Sequence, residues 1–224
     1  MADDIWRDVD EFISARFVRA DRALDAALET SKAAGLPEIN VAPSQGKLLM
    51  LLAQAMGARR ILEVGTLGGY STIWLARGLA PGGCLVTLEA NADYAKVAES
   101  NLARAGVADR VEIRVGRALD ALPQLAADGA GPFDLVFIDA DKPPAAEYFQ
   151  WALKLARPGG IVIVDNVVRE GAILDADSED RMVQGIRRFY DAVAAEPRVD
   201  ATVIQTVGGK GHDGMAILRV SPAP

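Results

Sequence analysis

The chain is short of the residues that build covalent frameworks, with 1 cysteine and 1 histidine among 224 residues. A lone thiol excludes an intramolecular disulfide network and suits a reducing compartment. Cys84 opens a β-rich run and reads as a small buried hydrophobe, not a nucleophile. Long apolar runs are missing too, since none approaches the roughly 18 residues that a membrane span needs. The opening MADDIWRDVDEF is acidic and amphipathic, without the basic start and apolar run of a secretory signal. Positive charge is outnumbered, 24 Lys and Arg against 31 Asp and Glu, a formal net charge of −7. That balance disfavours bulk attraction to nucleic acid or to an anionic membrane. The expectation is a cytoplasmic protein whose length suits one α/β domain.

What is present has a clear order. Ile5, Val9, Phe12, Ile13 and Phe17 recur at helical spacing. A second helix is predicted over about 21–34, ended by Gly35 and Pro37, and a third, capped by Ser44 or a neighbour, to about Met56. The period then shortens. Runs at 60–65, 84–89, 111–115, 133–139 and 160–165 read as strands, separated by helical patterns near 70–80, 92–105, 118–127 and 145–156. Strands alternating with helices predict right-handed crossovers and a parallel sheet. After a helix near 178–195, the runs 201–207 and 215–220 flank a glycine-rich turn at 208–214, which predicts an antiparallel hairpin at one edge. No linker or repeat divides the chain. The reading is one domain, 1–224, with N-terminal helices over 1–57 and a seven-stranded, mostly parallel Rossmann-like core over 58–220.

Ligands of open parallel sheets bind at the carboxyl ends of strands. Acids mark those ends here: Glu63, Glu89, Asp139 and Asp165. Glu63 sits between Leu62 and Val64, where a buried carboxylate needs a cation or several donors. The turn Gly65-Thr66-Leu67-Gly68-Gly69-Tyr70-Ser71 follows it. A G-x-G-x-x-G fingerprint from Gly65 would need glycine at 67 and 70, which are Leu67 and Tyr70. The turn therefore suits a nucleoside with a cationic group better than a pyrophosphate. Glu89 is placed to accept from a ribose diol, and Gly116-Arg117-Ala118 could flank an adenine. A second constellation joins Asp139, Asp141 and Lys142 with Asp165 and Asn166. Two carboxylates and an amide oxygen form a hard site suited to Mg²⁺, Ca²⁺ or Mn²⁺. Lys142 would stand beside such a cation, which favours its proton-accepting form.

LeuGluValGlyThrLeuGlyGlyTyrSer (62–71), PheIleAspAlaAspLys (137–142) and ValAspAsn (164–166), in this order, resemble the cation-dependent O-methyltransferases of the caffeoyl-CoA and catechol type. The likeness runs from about Asp21 to Val220 and includes 41–49 and AspGlyMetAlaIleLeuArg (213–219). It implies S-adenosylmethionine as methyl donor, with contacts at Val41, Glu63, Gly65, Gly69, Ser71, Glu89, Ala118 and Asp139. It also implies a divalent cation, Mg²⁺ first with Mn²⁺ or Ca²⁺ as alternatives, on Asp139, Asp165 and Asn166. Lys142 would be the catalytic base, a small aromatic vicinal diol the acceptor, and a homodimer the assembly.

The plant branch carries an aromatic shortly after its Asp-Asn pair, whereas this chain has Val167-Val168-Arg169-Glu170-Gly171. A phenylpropanoid-CoA acceptor is thereby in doubt. Arg169 either reads an anionic substrate group or is solvated. His212 is assigned to the hairpin loop, Tyr148 to the neighbourhood of the site, and Trp74 and Trp151 to core or interface. The first helix is assigned to core cover or a dimer seam in preference to a lid. Two rivals remain open. One is a tRNA hydroxyuridine O-methyltransferase using Arg169, Arg181, Arg187 and Arg188; the other is a non-catalytic cofactor-binding protein.

Overall fold

The computed structural model of the chain describes residues 2–222. Its helices are α1 (Ala2–Phe17), α2 (Arg22–Ala33), α3 (Pro43–Ala55), α4 (Tyr70–Gly78), α5 (Ala92–Arg104), α6 (Ala118–Ala127), α7 (Ala145–Leu155) and α8 (Arg181–Ala194). The strands are β1 (Arg60–Val64), β2 (Cys84–Glu89), β3 (Val111–Val115), β4 (Phe133–Ile138), β5 (Ala156–Asp165), β6 (Val199–Gly208) and β7 (Gly211–Val220). They form a 7-stranded sheet in the order β3-β2-β1-β4-β5-β7-β6. Neighbours from β3 to β5 are parallel, while β7 runs antiparallel to both β5 and β6. This is the Rossmann-like sheet with a C-terminal hairpin that the pattern of runs predicts.

Side-chain alternation explains the layers. Leu62, Val64, Val136, Ile138, Val162 and Val164 face one side with Leu125, Phe149, Ile186 and Phe189 of α6, α7 and α8. Ile61, Leu85, Leu135, Phe137 and Ile163 face the other with Leu24, Leu49, Ile73 and Leu102 of α2 to α5. Each fully buried side chain of this size contributes roughly 1.5–3 kcal/mol. A one-residue slip of any central strand would exchange the two sets, so burial on both faces pins the register. Asp21 caps α2 by accepting from the N–H groups of Ala23 and Leu24, Asn91 caps α5 through those of Asp93 and Tyr94, and Asp180 caps α8 through that of Met182 alone.

Several local expectations need correction. Cys84 is exposed: it is the first residue of β2, and burial starts with the next residue, Leu85. Ser44 does not cap α3: Pro43 takes the first helical position, and the Ser44 hydroxyl donates to Asp10 of α1 instead. The hairpin turn is only Gly209 and Lys210, since β6 and β7 pair out to Gly208 and Gly211. His212 therefore belongs to β7, opposite Val207, with Nε2 bonded to Gln205 Oε1 at 2.7 Å. Core cover by α1 also fails: Ile5, Val9, Phe12, Ile13 and Phe17 are all exposed. Trp74 is buried in the core, and Trp151 packs at its margin. No helix among the described residues is long and apolar enough to cross a membrane.

Candidate active site

Strand order reverses between β1 and β4, and a cleft of about 950 Å³ opens there at the carboxyl ends of the strands. Val41, Gly65, Ser71, Glu89, Ala118, Asp139, Lys142 and Asn166 all line it, together with Tyr148 and Arg169. Glu63 and Asp165 are buried beneath the wall. Gly69 is not among the lining residues; it begins α4 with φ 83, against Ala98 of α5.

Glu63 shows how the sheet answers a buried acid. Parallel register sets Thr87 of β2 beside it, and the first turn of α4 covers that face. Its carboxylate accepts three hydroxyl bonds, from Ser71 at 2.6 Å, Thr72 at 2.5 Å and Thr87 at 2.7 Å. Hydroxyl donors, not a cation, meet the demand within the protein. Burial still dominates and pushes the carboxyl up to about 7, although the three bonds oppose the rise. Thr72 and Thr87 escaped the sequence reading because their partner lies on another element.

The turn after β1 is shaped by contact. Gly65 has φ 101, and a Cβ there would lie 2.0 Å from the Asp139 carbonyl oxygen. Only glycine lets the ends of β1 and β4 approach this closely. Leu67 is left-handed without being glycine, at φ 51. Its N–H donates to Glu89 Oε2 at 2.7 Å, while Asn91 N–H donates to Oε1 at 2.9 Å. Two amides thus fix the Glu89 carboxylate at the cleft wall and leave lone pairs for a ligand hydroxyl.

On the β4 and β5 side, Lys142 is almost wholly buried, and its ammonium lies 3.3 Å from Asp139 Oδ1. Asp165 accepts the N–H of Asn166 at 2.9 Å, and Asn166 itself is left-handed at φ 56. Burial and then the Asp139 charge raise the Asp165 carboxyl, opposed by Lys142. Two carboxylates facing one ammonium leave surplus negative charge beside a neutral amide oxygen, which is the donor chemistry of a hard divalent cation. Among the described residues, no three or more His, Cys, Asp or Glu side chains form a metal-holding group. The set here has only two carboxylates.

The surrounding loops are clamped. Tyr148 donates its hydroxyl to Asp141 at 2.5 Å, and burial with that bond raises its pKa. Arg188 of α8 donates to the Pro143 carbonyl at 2.9 Å. Asp213 Oδ1 accepts the N–H groups of Val168 and Arg169 at 2.9 and 3.0 Å, tying the loop after β5 to β7. Lys210 donates to the carbonyl of Asn40, beside Val41, and burial lowers its pKa. Asp213 and Lys210 are missed by sequence reasoning; the run 213–219 carried the resemblance but no role for its first acid.

A mostly parallel sheet with an antiparallel hairpin edge, a non-dinucleotide glycine turn after β1 and an anchored acid ending β2 fit the class of S-adenosylmethionine-dependent methyltransferases, and the similarities to known proteins show that class. The O-methyltransferase family profile matches residues 18–220. A catechol O-methyltransferase of Niastella koreensis is 53% identical over 220 residues, covering 98% of this chain and 100% of its own. The crystal structure of an O-methyltransferase from Bacillus cereus in complex with SAH matches with a TM-score of 0.96 and 55% identity, covering 97% of this chain and 99% of that one. That of TomG from Streptomyces achromogenes in complex with SAM, an O-methyltransferase involved in tomaymycin synthesis, also has a TM-score of 0.96, with 53% identity and coverage of 99% and 100%. The chain belongs to the O-methyltransferase family and is an S-adenosylmethionine-dependent enzyme.

Proposed function

We propose that the enzyme methylates one hydroxyl of a small aromatic vicinal diol with the help of a divalent cation. The observation that carries this reading is the convergence of Asp139, Lys142 and Asn166 at the cleft wall with Asp165 buried just behind them, close enough to feel the charges of Asp139 and Lys142. The name of the Niastella relative, a catechol O-methyltransferase, supports the acceptor class. Asp139, Asp165 and Asn166 would hold the cation, Mg²⁺ in the first instance. When bound, S-adenosylmethionine would supply an electrophilic methyl group, and the cation would supply the positive charge that favours ionisation of the acceptor hydroxyl.

The protein's own residues do the rest. Lys142, which the bound cation would favour in its neutral amine form, takes the proton of the reacting hydroxyl on its ε-nitrogen and becomes the ammonium that pairs with Asp139 at 3.3 Å. Glu89 holds the ribose diol, and Ser71, fixed by Glu63, faces the polar end of the donor. Val41, Gly65 and Ala118 complete the donor's enclosure. Excluding water from this cleft strengthens each of these charge interactions.

The test is methyl transfer to catechol and to phenol with Mg²⁺ present or chelated. Catechol turns over only with the cation, and phenol, offering one oxygen, is at least tenfold poorer, on the order of one lost charge-assisted contact. Full-rate methylation of catechol by chelated enzyme sinks the proposal. A homodimer is part of the same reading. The exposed stripe Ile5, Val9, Phe12 and Phe17 of α1, which packs beside β6 with its own exposed Ile204 and Val207, supplies apolar surface for a second copy. Sedimentation of the wild type against Phe12→Asp checks it, and a wild-type monomer refutes it.

A further inference from the structure

We infer that the acceptor carries a carboxylate, read by Arg169 with help from Arg181; this rests on the diol-methylation reading and narrows its substrate class. The argument starts from charge. The chain is acidic overall, at −7, yet Arg169, Arg181 and Arg188 all line the β5 and α8 side of the cleft. Among the described residues none of the three forms an ion pair. Arg188 is occupied in part by the Pro143 carbonyl. The Arg169 side chain has no hydrogen-bond or ion-pair partner among the described residues, and its Nε is shielded from solvent with nothing to accept from it. A guanidinium partly withdrawn from water and lacking any acceptor is an unmet demand, and a planar oxyanion satisfies it through the fork of N–H donors.

Backbone geometry makes the position specific. Arg169 and Glu170 both adopt left-handed conformations, at φ 54 and 56, before Gly171 at φ 85. Non-glycine residues rarely hold that geometry, and two in succession persist only where the surroundings impose it. Asp213 anchors the entry to this turn by accepting the Val168, Arg169 and Gly214 N–H groups at 2.9, 3.0 and 2.9 Å, and Val167 N–H donates to the Gly214 carbonyl at 3.0 Å. The clamp starts two residues after Asn166, so the cation ligand and the arginine are held on one rigid loop. An acceptor whose diol lies at Asn166 therefore has its far side within reach of Arg169. Arg181, at the first turn of α8 on the same wall, adds a second positive charge. A cleft of about 950 Å³ that must take the methyl donor as well as the acceptor favours a compact aromatic acid over a long conjugate.

The experiment compares 3,4-dihydroxybenzoate with its methyl ester, which has the same diol and no charge. Binding to the enzyme loaded with Mg²⁺ and S-adenosylhomocysteine is measured by calorimetry, and kcat/KM by methyl transfer. The acid is expected to bind at least about tenfold more tightly than the ester, the usual worth of a charge-assisted contact, with its advantage in kcat/KM expressed through KM. Added salt shrinks that advantage. Arg169→Ala reduces the acid-to-ester ratio to below about threefold, Arg169→Lys retains part of it as a point charge, and Arg181→Ala lowers it less. Equal binding of acid and ester by the wild type, or a ratio untouched in Arg169→Ala, overturns the inference. If the acid binds preferentially through Arg169 but neither compound is methylated, the anion site stands and the diol-methylation reading falls.

Discussion

The Ser71 hydroxyl donates to the buried Glu63 carboxylate, Oγ to Oε1 at 2.6 Å, so a group at the cleft wall is positioned by an acid that never reaches the cleft. The Glu63 carboxyl is raised from 4.5 to about 7 in the folded protein. A raised carboxyl holds a proton that the unfolded chain has already released. Its contribution to stability is complete below pH 4.5 and is lost as pH climbs through 7. Unliganded Glu63→Gln should therefore gain stability relative to wild type across that window, by on the order of 3 kcal/mol. Urea unfolding of both proteins at pH 5 and pH 8 checks this, and a difference that stays constant with pH would show that Glu63 remains charged throughout.

Glu89 is expected to govern affinity for the methyl donor. Its carboxylate is pre-set by the Leu67 and Asn91 amides, so no ordering is needed on binding. Glu89→Ala should weaken S-adenosylmethionine binding by about 1.5–3 kcal/mol, the range for hydrogen bonds to a charged group. Glu89→Gln should fall between the two. Calorimetry measures all three, and equal dissociation constants would remove Glu89 from the ribose site.

Lys142→Ala should bind S-adenosylmethionine as wild type does and lose turnover by on the order of 10²–10⁴, the share of a general base. Because more of the diol is ionised at higher pH, the mutant should recover part of its rate as pH rises from 7 to 9. Single-turnover methyl transfer across that range is the measurement. Wild-type turnover at neutral pH would show that the proton leaves by another route.

Gly185 of α8 meets the backbone of the Lys142 loop, where a Cβ would lie 2.1 Å from the Lys142 carbonyl oxygen and 2.7 Å from Pro143 Cα. Ala is the better helix former, so propensity alone predicts a gain in stability. Contact with backbone atoms decides otherwise: Gly185→Ala should cost roughly 1–3 kcal/mol through overpacking and displace Lys142. Thermal unfolding and turnover are expected to fall together while S-adenosylmethionine affinity holds. A more stable, fully active variant would show that α8 can retreat without moving the loop.

The alternation of apolar runs was enough to determine the parallel sheet, its hairpin edge and the acids at four strand ends. Those are local properties: short, continuously apolar β-rich runs are written residue by residue, and Glu89 and Asp165 end their strands, Asp139 follows β4 and Glu63 lies one residue before the end of β1. Motif order likewise located Lys142 and Asn166, which tertiary packing brings to one cleft. What only the tertiary structure decided are relations across elements. Thr87 meets Glu63 because β2 pairs with β1 in one register. Asp213 clamps Arg169 across 44 residues of chain. Cys84 is exposed as the first residue of β2, whose other residues are all buried, and α1 shows the helical period yet leaves its stripe uncovered. A sequence pattern specifies which side chains seek a partner; three-dimensional packing determines which partner, if any, each one finds.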